Sequence, residues 1–112
     1  CGDSEEEAKE TPRHAMQRYL KAVVKANPED AYSDQYSSYK GLSQAFQTFD
    51  YDAYMYPHKV IFGDPDQCIE RIRQISGMGI TNVSLIPNFG GLDHERIMAS
   101  LDRFGKHVLP CL

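Results

Sequence analysis

The sequence of 112 residues lacks several features that would place it in a special class of protein. Its longest apolar runs are far too short to cross a bilayer, and residues 3–10 are acidic where a signal peptide would be basic and then apolar. It has no low-complexity tract and no block of like charge that would indicate disorder. Its twelve lysines and arginines are scattered and the net charge is −4, so no surface for nucleic acid is indicated. We therefore expect a cytoplasmic globular protein with neither a membrane nor a nucleic-acid partner.

Potential metal ligands are also few and badly spaced. Cys1, Cys68 and Cys111 are an odd number of cysteines at wide spacing, so we expect free thiols in a reducing cytoplasm rather than disulfides. The four histidines show no ligand spacing either, and no metal site is predicted. His94, near the start of the last predicted helix, could face an active site or be a solvated surface residue. Because residue 1 is Cys rather than Met, we expect the sequence to be part of a longer one.

The segment 1–27 predicts a helix. Ser4 and Glu7 have the spacing of a capping box, and the acidic residues around them favour the positive end of the helix dipole. Apolar residues follow at helical spacing, at Ala15, Tyr19, Ala22 and Val23. Pro12 must kink or restart this helix, because proline lacks the N–H group that a helix interior needs. Asn27 and Pro28 end it.

The segment 28–57 differs from the rest of the sequence in its aromatic content. It contains six of the seven tyrosines, namely Tyr32, Tyr36, Tyr39, Tyr51, Tyr54 and Tyr56. This content is too high for a disordered linker, and long connections inside compact domains are often lids or binding loops. We interpret the segment as a long excursion that serves as a lid over a site. A dimer contact or plain packing is the alternative.

The segment 58–112 alternates short apolar runs with helical patterns, a β-α-β-α order. Residues 60–62 and 82–86 predict two strands, the first buried on both faces. A helix follows each strand, with Asp64 and Asp93 as the N-cap residues. The last helix is expected to bury Ile97, Met98, Leu101, Phe104 and Val108.

Consecutive β–α units of this length imply a parallel sheet with right-handed crossovers. Two strands alone would leave an apolar edge on each side, whereas a closed barrel needs eight strands and about 250 residues. We therefore predict an α/β fold, a C-terminal fragment of a (β/α)8 TIM barrel with two parallel strands and three or more helices.

Motifs in the same order resemble the C-terminal end of the luciferase-like, flavin-dependent monooxygenases. The first is Gly63-Asp64-Pro65-Asp66-Gln67-Cys68-Ile69 at the start of a helix. Gly79-Ile80-Thr81-Asn82-Val83 leads into the second predicted strand, and the loop Asn88-Phe89-Gly90-Gly91-Leu92 follows it. The final helix then closes on Phe104, Val108 and Pro110. The resemblance covers about half of the sequence.

The resemblance implies chemistry on a reduced flavin. In that family, reduced FMN supplied by a reductase reacts with O2, and a small organic substrate such as an aldehyde, alkane or sulfonate is oxygenated. Some relatives use the deazaflavin F420 instead and transfer hydride. The cofactor supplies the difficult chemistry, while the protein positions it and excludes water. The resemblance also implies that most residues for the flavin phosphate and for acid–base steps precede this sequence, so no catalytic residue is assigned.

Two candidate cofactor-binding positions lie within the sequence. In the loop Asn88-Phe89-Gly90-Gly91, the glycines would let the backbone approach the flavin or substrate, and Asn88 offers an amide to a ring carbonyl. The alternative is a tight turn with Phe89 packed on the last helix. Gly63, before a helix N-terminus, is a possible anion site. Asp64 and Asp66 place negative charge there, however, which favours a role in helix capping.

Two other functions remain open. The chain could be a catalytically silent, truncated module that associates with itself as a homo-oligomer to cover its open edges. It could also belong to another (β/α)8 oxidoreductase, or to a barrel enzyme whose substrate carries a phosphate.

Overall fold

The computed structural model describes residues 1–26, 41, 50–52 and 60–112. Four helices lie in these ranges: α1 (Glu5–Glu10), α2 (Arg13–Ala26), α3 (Pro65–Gly77) and α4 (His94–His107). A short 3-10 turn, Leu109–Cys111, ends the chain. No described helix is both long enough and apolar enough to cross a membrane. The prediction of a lid falls on residues 28–57, nearly all of which lie outside the described residues.

The first predicted helix is confirmed, with the break at Pro12 that its ring imposes. The Ser4 hydroxyl accepts a hydrogen bond from the backbone N–H of Glu7 at 3.2 Å and so caps α1. The reciprocal bond of the predicted capping box differs, because the Glu7 carboxylate accepts from the N–H of Asp3 at 2.7 Å. Helix α2 then begins directly after Pro12.

Helix α3 is confirmed with both of its predicted ends. The Asp64 carboxylate accepts from the N–H of Gln67 at 2.9 Å, and the Gln67 side chain accepts from the N–H of Asp64 at 3.1 Å. Pro65 occupies the first turn, where no N–H is needed. Gly79 follows the helix with a φ of 85°, a left-handed conformation that glycine adopts without steric cost.

Helix α4 begins after the predicted N-cap, since the Asp93 side chain accepts from the N–H of Glu95 at 2.8 Å. Its expected burial is partly wrong. Val108, just beyond the helix, is fully buried, but Met98 and Leu101 are 50% and 41% exposed. These two side chains are therefore too exposed to belong to a core.

The predicted α/β fold is wrong, and with it the expected barrel fragment. The described residues contain helices but no strand and no sheet. The apolar runs 60–62 and 82–86 share no backbone hydrogen bond in the described part of the chain. A strand exists only when a partner completes its ladder of N–H and C=O groups. The two runs have the composition of strands, but neither has such a partner among the described residues.

Two small apolar clusters hold the described elements together. The first contains Met16, Leu20 and Tyr51, and Val60, Phe62 and Phe89 pack against it. The second contains Cys68, Ile69 and Val108, and Cys1, Ile61, Ile72 and Phe104 pack against it. The run 60–62 therefore alternates between the clusters, as side chains do along an extended backbone. The prediction of a strand buried on both faces is wrong, because the run has no ladder among the described residues and its three side chains are only half-buried.

The N-terminal residues connect α3 with α4. The N–H of Gly2 donates to the carbonyl of Gly63 at 2.9 Å, and the amine of Cys1 donates to the Ser100 hydroxyl at 2.8 Å. The Arg103 guanidinium donates to the carbonyl of Cys1 at 2.9 Å and pairs with Asp3. These contacts fix the start of the chain across the second cluster.

Candidate functional site

A groove of about 500 Å³ lies between α1, α2, the run 60–62, the segment 83–89 and α4. Its walls are mainly apolar, and their aromatic side chains include Tyr19, Phe62 and Phe89. A groove of this volume falls in the range of sites for small molecules and cofactors. The predicted loop at Asn88–Gly91 contributes one wall through Phe89.

Phe89 is the one predicted site residue that enters the groove. Its ring stacks on that of Phe62, with centroids 6.0 Å apart and planes 29° apart. Tyr19 meets it edge-on, with centroids 6.4 Å apart and planes 67° apart. Phe89 is half-buried against the first cluster, on the α2 side of the molecule. These contacts differ from the expected alternative, in which Phe89 packed on the last helix.

The remaining residues of the loop form a tight turn. The Asn88 amide oxygen accepts from the N–H of Gly90 at 3.0 Å. Gly90 and Gly91 both have left-handed backbones, with φ of 99° and 83°. The two glycines thus allow a turn that residues with a Cβ would make only with strain. The Asn88 oxygen is thus used inside the turn, which leaves the NH2 group of the same amide as a donor.

Arg18 of α2 holds the far end of this loop. Its guanidinium donates to the carbonyl of Gly91 at 2.9 Å. A Cβ at Gly91 would collide with the same guanidinium, whereas a Cβ at Gly90 would have nothing within 4 Å. The backbone at Gly90 is therefore open to a ligand, while that at Gly91 is covered. Sequence reasoning missed Arg18 and Tyr19 as loop partners, because no local pattern signals a contact across some 70 residues.

Gly63 has a structural environment that favours helix capping. Its carbonyl accepts from the N–H of Gly2, and a Cβ at Gly63 would meet the Gln67 side chain at 2.6 Å. The N–H groups of Asp64 and Gln67 are both occupied by the capping box. Few donors remain for an anion at this helix N-terminus, and the two aspartates of the first turn repel one.

The polar groups of the groove mostly bind one another. Arg103 pairs with Asp3, and Ser100 binds the amine of Cys1. Arg96 donates to the Thr11 hydroxyl at a long 3.3 Å, and in the described part of the chain no carboxylate pairs with it. The groove therefore offers a large apolar surface, and Arg96 on its wall is a cation without a carboxylate partner among the described residues.

The buried thiol is not a candidate nucleophile. Cys68 is completely buried in the second cluster, and burial raises the pKa of its thiol. Only the thiolate is strongly nucleophilic, so such a thiol is inert at neutral pH. All three cysteines are free, as predicted. Within the described residues, no three His, Cys, Asp or Glu side chains gather as metal ligands.

An ionic cluster fixes residues 50–52 to the first two helices. Arg13 binds Glu10 and, through two bonds of 2.9 Å, Asp52. Lys9 adds a second cation at 2.8 Å from Asp52. The bonds from Arg13 and Lys9 hold the pKa of Asp52 well below its usual range. The Arg13 guanidinium also lies 4.6 Å from the centre of the Tyr51 ring, whose hydroxyl donates to the carbonyl of Lys9.

No protein family, no curated protein and no solved structure matches this chain. The geometry of the groove and the motifs of the sequence therefore carry the functional argument.

Proposed function

We propose that the chain is part of a flavin-dependent monooxygenase, which uses reduced FMN and O2 to oxygenate a small organic substrate. The observation that carries the proposal is the position of Phe89. It belongs to the loop that resembles the family motif, and it forms an aromatic wall of the groove with Phe62.

The residues of the groove suit the ring system of a flavin. A flat, three-ring heterocycle needs apolar and aromatic walls and a place where backbone can approach its edge. Phe62 and Phe89 supply such a wall. The backbone at Gly90, next to Phe89 in the chain, is open, although Gly90 itself does not line the groove. The region around Gly63 does not suit the phosphate, since Asp64 and Asp66 are negative and the nearby N–H groups are occupied. The phosphate would be held by residues outside this chain, as the resemblance implies.

In this proposal the bound flavin supplies the reaction with O2, and the chain positions it and excludes water. The stacked rings of Phe62 and Phe89 cover one side of the groove, which lowers the local dielectric constant. Arg18 and Tyr19 keep Phe89 and its loop in place from α2. Asn88 does not line the groove, so the proposal assigns it no contact with the ring. F420 has a similar ring system and is the alternative cofactor, with hydride transfer as its reaction.

Titration with FMN tests the proposal. Binding should quench FMN fluorescence and shift its visible absorption. Phe89→Ala should weaken the affinity by about fivefold, since an aromatic contact of this kind contributes about 1 kcal/mol. Ile72→Ala is the matched control, because Ile72 packs on the second cluster and does not line the groove. A wild-type chain that leaves FMN unchanged, or equal affinities for Phe89→Ala and wild type, would count against a flavin site here. Parallel titration with F420 distinguishes the two cofactors.

A second function is favoured by a different observation. Half of the large apolar side chains that are exposed in the described part lie between Met78 and Ile86. An exposed apolar segment of this kind favours a catalytically silent module that associates with other copies of itself. In that case the chain would bind no flavin, and its mass in solution would exceed that of one copy.

A further inference from the structure

The segment 80–86 is exposed along its whole length. All seven of its side chains are exposed, among them Ile80, Val83, Leu85 and Ile86 at 46%, 38%, 43% and 70%. Its sequence, Ile-Thr-Asn-Val-Ser-Leu-Ile, contains no charged residue and no proline. Soluble proteins usually place charges or prolines on a backbone that could pair with another chain. This segment has neither protection.

The backbone of the same segment has no partner in the described part of the chain. None of its N–H or C=O groups takes part in a hydrogen bond among the described residues. Backbone N–H and C=O groups are strong hydrogen-bonding groups, and a row of them beside β-branched side chains is a template for strand addition. Ile80, Thr81, Val83 and Ile86 are the β-branched residues that favour such pairing.

The sequence of the segment is complementary to itself in one register. When two copies run antiparallel about Val83, Ile80 faces the partner's Ile86 and Thr81 faces the partner's Leu85. Asn82 then faces the partner's Ser84, and Val83 faces the partner's Val83. Each cross-strand pair matches apolar with apolar or polar with polar, except for Thr81, whose methyl group meets Leu85.

The same register has matching ends. One position beyond the segment, Gly79 has a left-handed φ of 85°, and Pro87 has no N–H to donate. In the antiparallel register Gly79 of one copy faces the partner's Pro87, so both ends of the ladder stop at the same pair. Because neither Gly79 nor Pro87 continues the strand, the ladder is limited to seven residues. A register shifted to either side would lose pairs at one end.

We propose that residues 80–86 form an antiparallel, intermolecular strand pair with a second copy of this chain. The absence of charge removes the repulsion that would oppose such a pair. A pair of seven-residue strands buries less surface than the roughly 800 Å² per partner of a standard interface. We therefore expect a weak dimer that forms only at high protein concentration. The proposal does not require the flavin function, because strand pairing rests on the backbone of residues 80–86, although Val83 to Ile86 also line the groove.

The test measures the dimerisation constant by light scattering for variants with charged residues at positions 80 and 86, which face each other in the proposed register. Ile80→Lys and Ile86→Glu should each weaken dimerisation by about tenfold. Each substitution places a charge opposite an apolar side chain, and the symmetry of the dimer repeats this mismatch at a second site. The double variant I80K/I86E should recover nearly the wild-type dimerisation constant, because each new lysine then faces the partner's new glutamate. Met98→Lys is the matched control, since it adds a charge at a similarly exposed apolar residue on α4 and should leave dimerisation unchanged.

Two results of this test would overturn the proposal, and a separate measurement gives a third. One is a wild-type chain that stays monomeric across the accessible concentrations. The other is a double variant that dimerises no better than the single variants, which would exclude this register. Hydrogen exchange on the wild type adds a measurement that needs no variant: amides of residues 80–86 should become protected at high concentration and exchange freely at low concentration. Equal exchange at both concentrations would also refute the strand pair.

Discussion

Arg18 on α2 donates a hydrogen bond to the carbonyl of Gly91 at 2.9 Å, although 73 residues separate them. The guanidinium fills the space that a side chain at Gly91 would need. This contact links the second helix to the loop that carries Phe89, and so one wall of the groove depends on a residue near the start of the chain.

Gly91→Ala should therefore destabilise the protein more than Gly90→Ala. Both positions have positive φ, so both substitutions cost about 1–2 kcal/mol in backbone strain. Only the alanine at position 91 also displaces the Arg18 guanidinium and its hydrogen bond. Urea unfolding of the two variants measures the difference. Adding Arg18→Ala to Gly91→Ala should remove the steric part of the penalty; equal stabilities for the two glycine variants would contradict the arrangement.

Asp52 should contribute to stability at neutral pH and lose that contribution in acid. Its pKa in the folded chain lies below the usual 3.8, first because of its bonds to Arg13 and then because of Lys9. For a carboxyl group whose folded pKa is lowered, the stabilisation is complete above the unfolded pKa and disappears as the pH falls through the folded one. Denaturation between pH 6 and about 2 should thus show a steeper loss for wild type than for Asp52→Asn.

The control for this effect is ionic strength. Asp52 is exposed and its partners are half-buried, so added salt should reduce the difference between wild type and Asp52→Asn. Asp102→Asn is a suitable comparison, because Asp102 forms a single exposed ion pair with Lys106 within α4. Identical acid profiles for wild type and Asp52→Asn would mean that the ionic cluster does not hold residues 50–52.

The three thiols should react at well-separated rates. Cys111 is exposed, Cys1 is half-buried and Cys68 is fully buried with a raised pKa. A short pulse of maleimide followed by mass spectrometry should label Cys111 first, then Cys1, and label Cys68 only when denaturant is present. Fast labelling of Cys68 in native buffer would show that the second cluster opens easily. Cys68→Ser, which removes that thiol, identifies the slow product.

The helices could be predicted from the sequence because their signals are local. Ser4, Asp64 and Asp93 lie within three residues of the N–H groups that they cap, and Gly79 directly follows the helix that it ends. These hydrogen bonds depend on short segments alone. The structure confirms all three N-caps, with one change of partner at Glu7.

The sequence could not predict the absence of strands from the described residues or the presence of the groove, because both depend on contacts between distant segments. An apolar run such as 82–86 predicts a strand only if another strand lies beside it, and the described chain supplies none. The stripe on α4 shows the same limit, since Met98 and Leu101 have the correct spacing but stay exposed. The contact of Arg18 with Gly91 belongs to the same class, because tertiary packing alone brings the two together.

The alternation of Val60, Ile61 and Phe62 couples the two apolar clusters mechanically. Val60 and Phe62 enter one cluster while Ile61, between them, enters the other. Val60 and Phe62 cannot leave the first cluster without also moving Ile61, which packs in the second cluster. Two cores that are each too small to be stable alone should therefore open together, as one cooperative unit of unfolding.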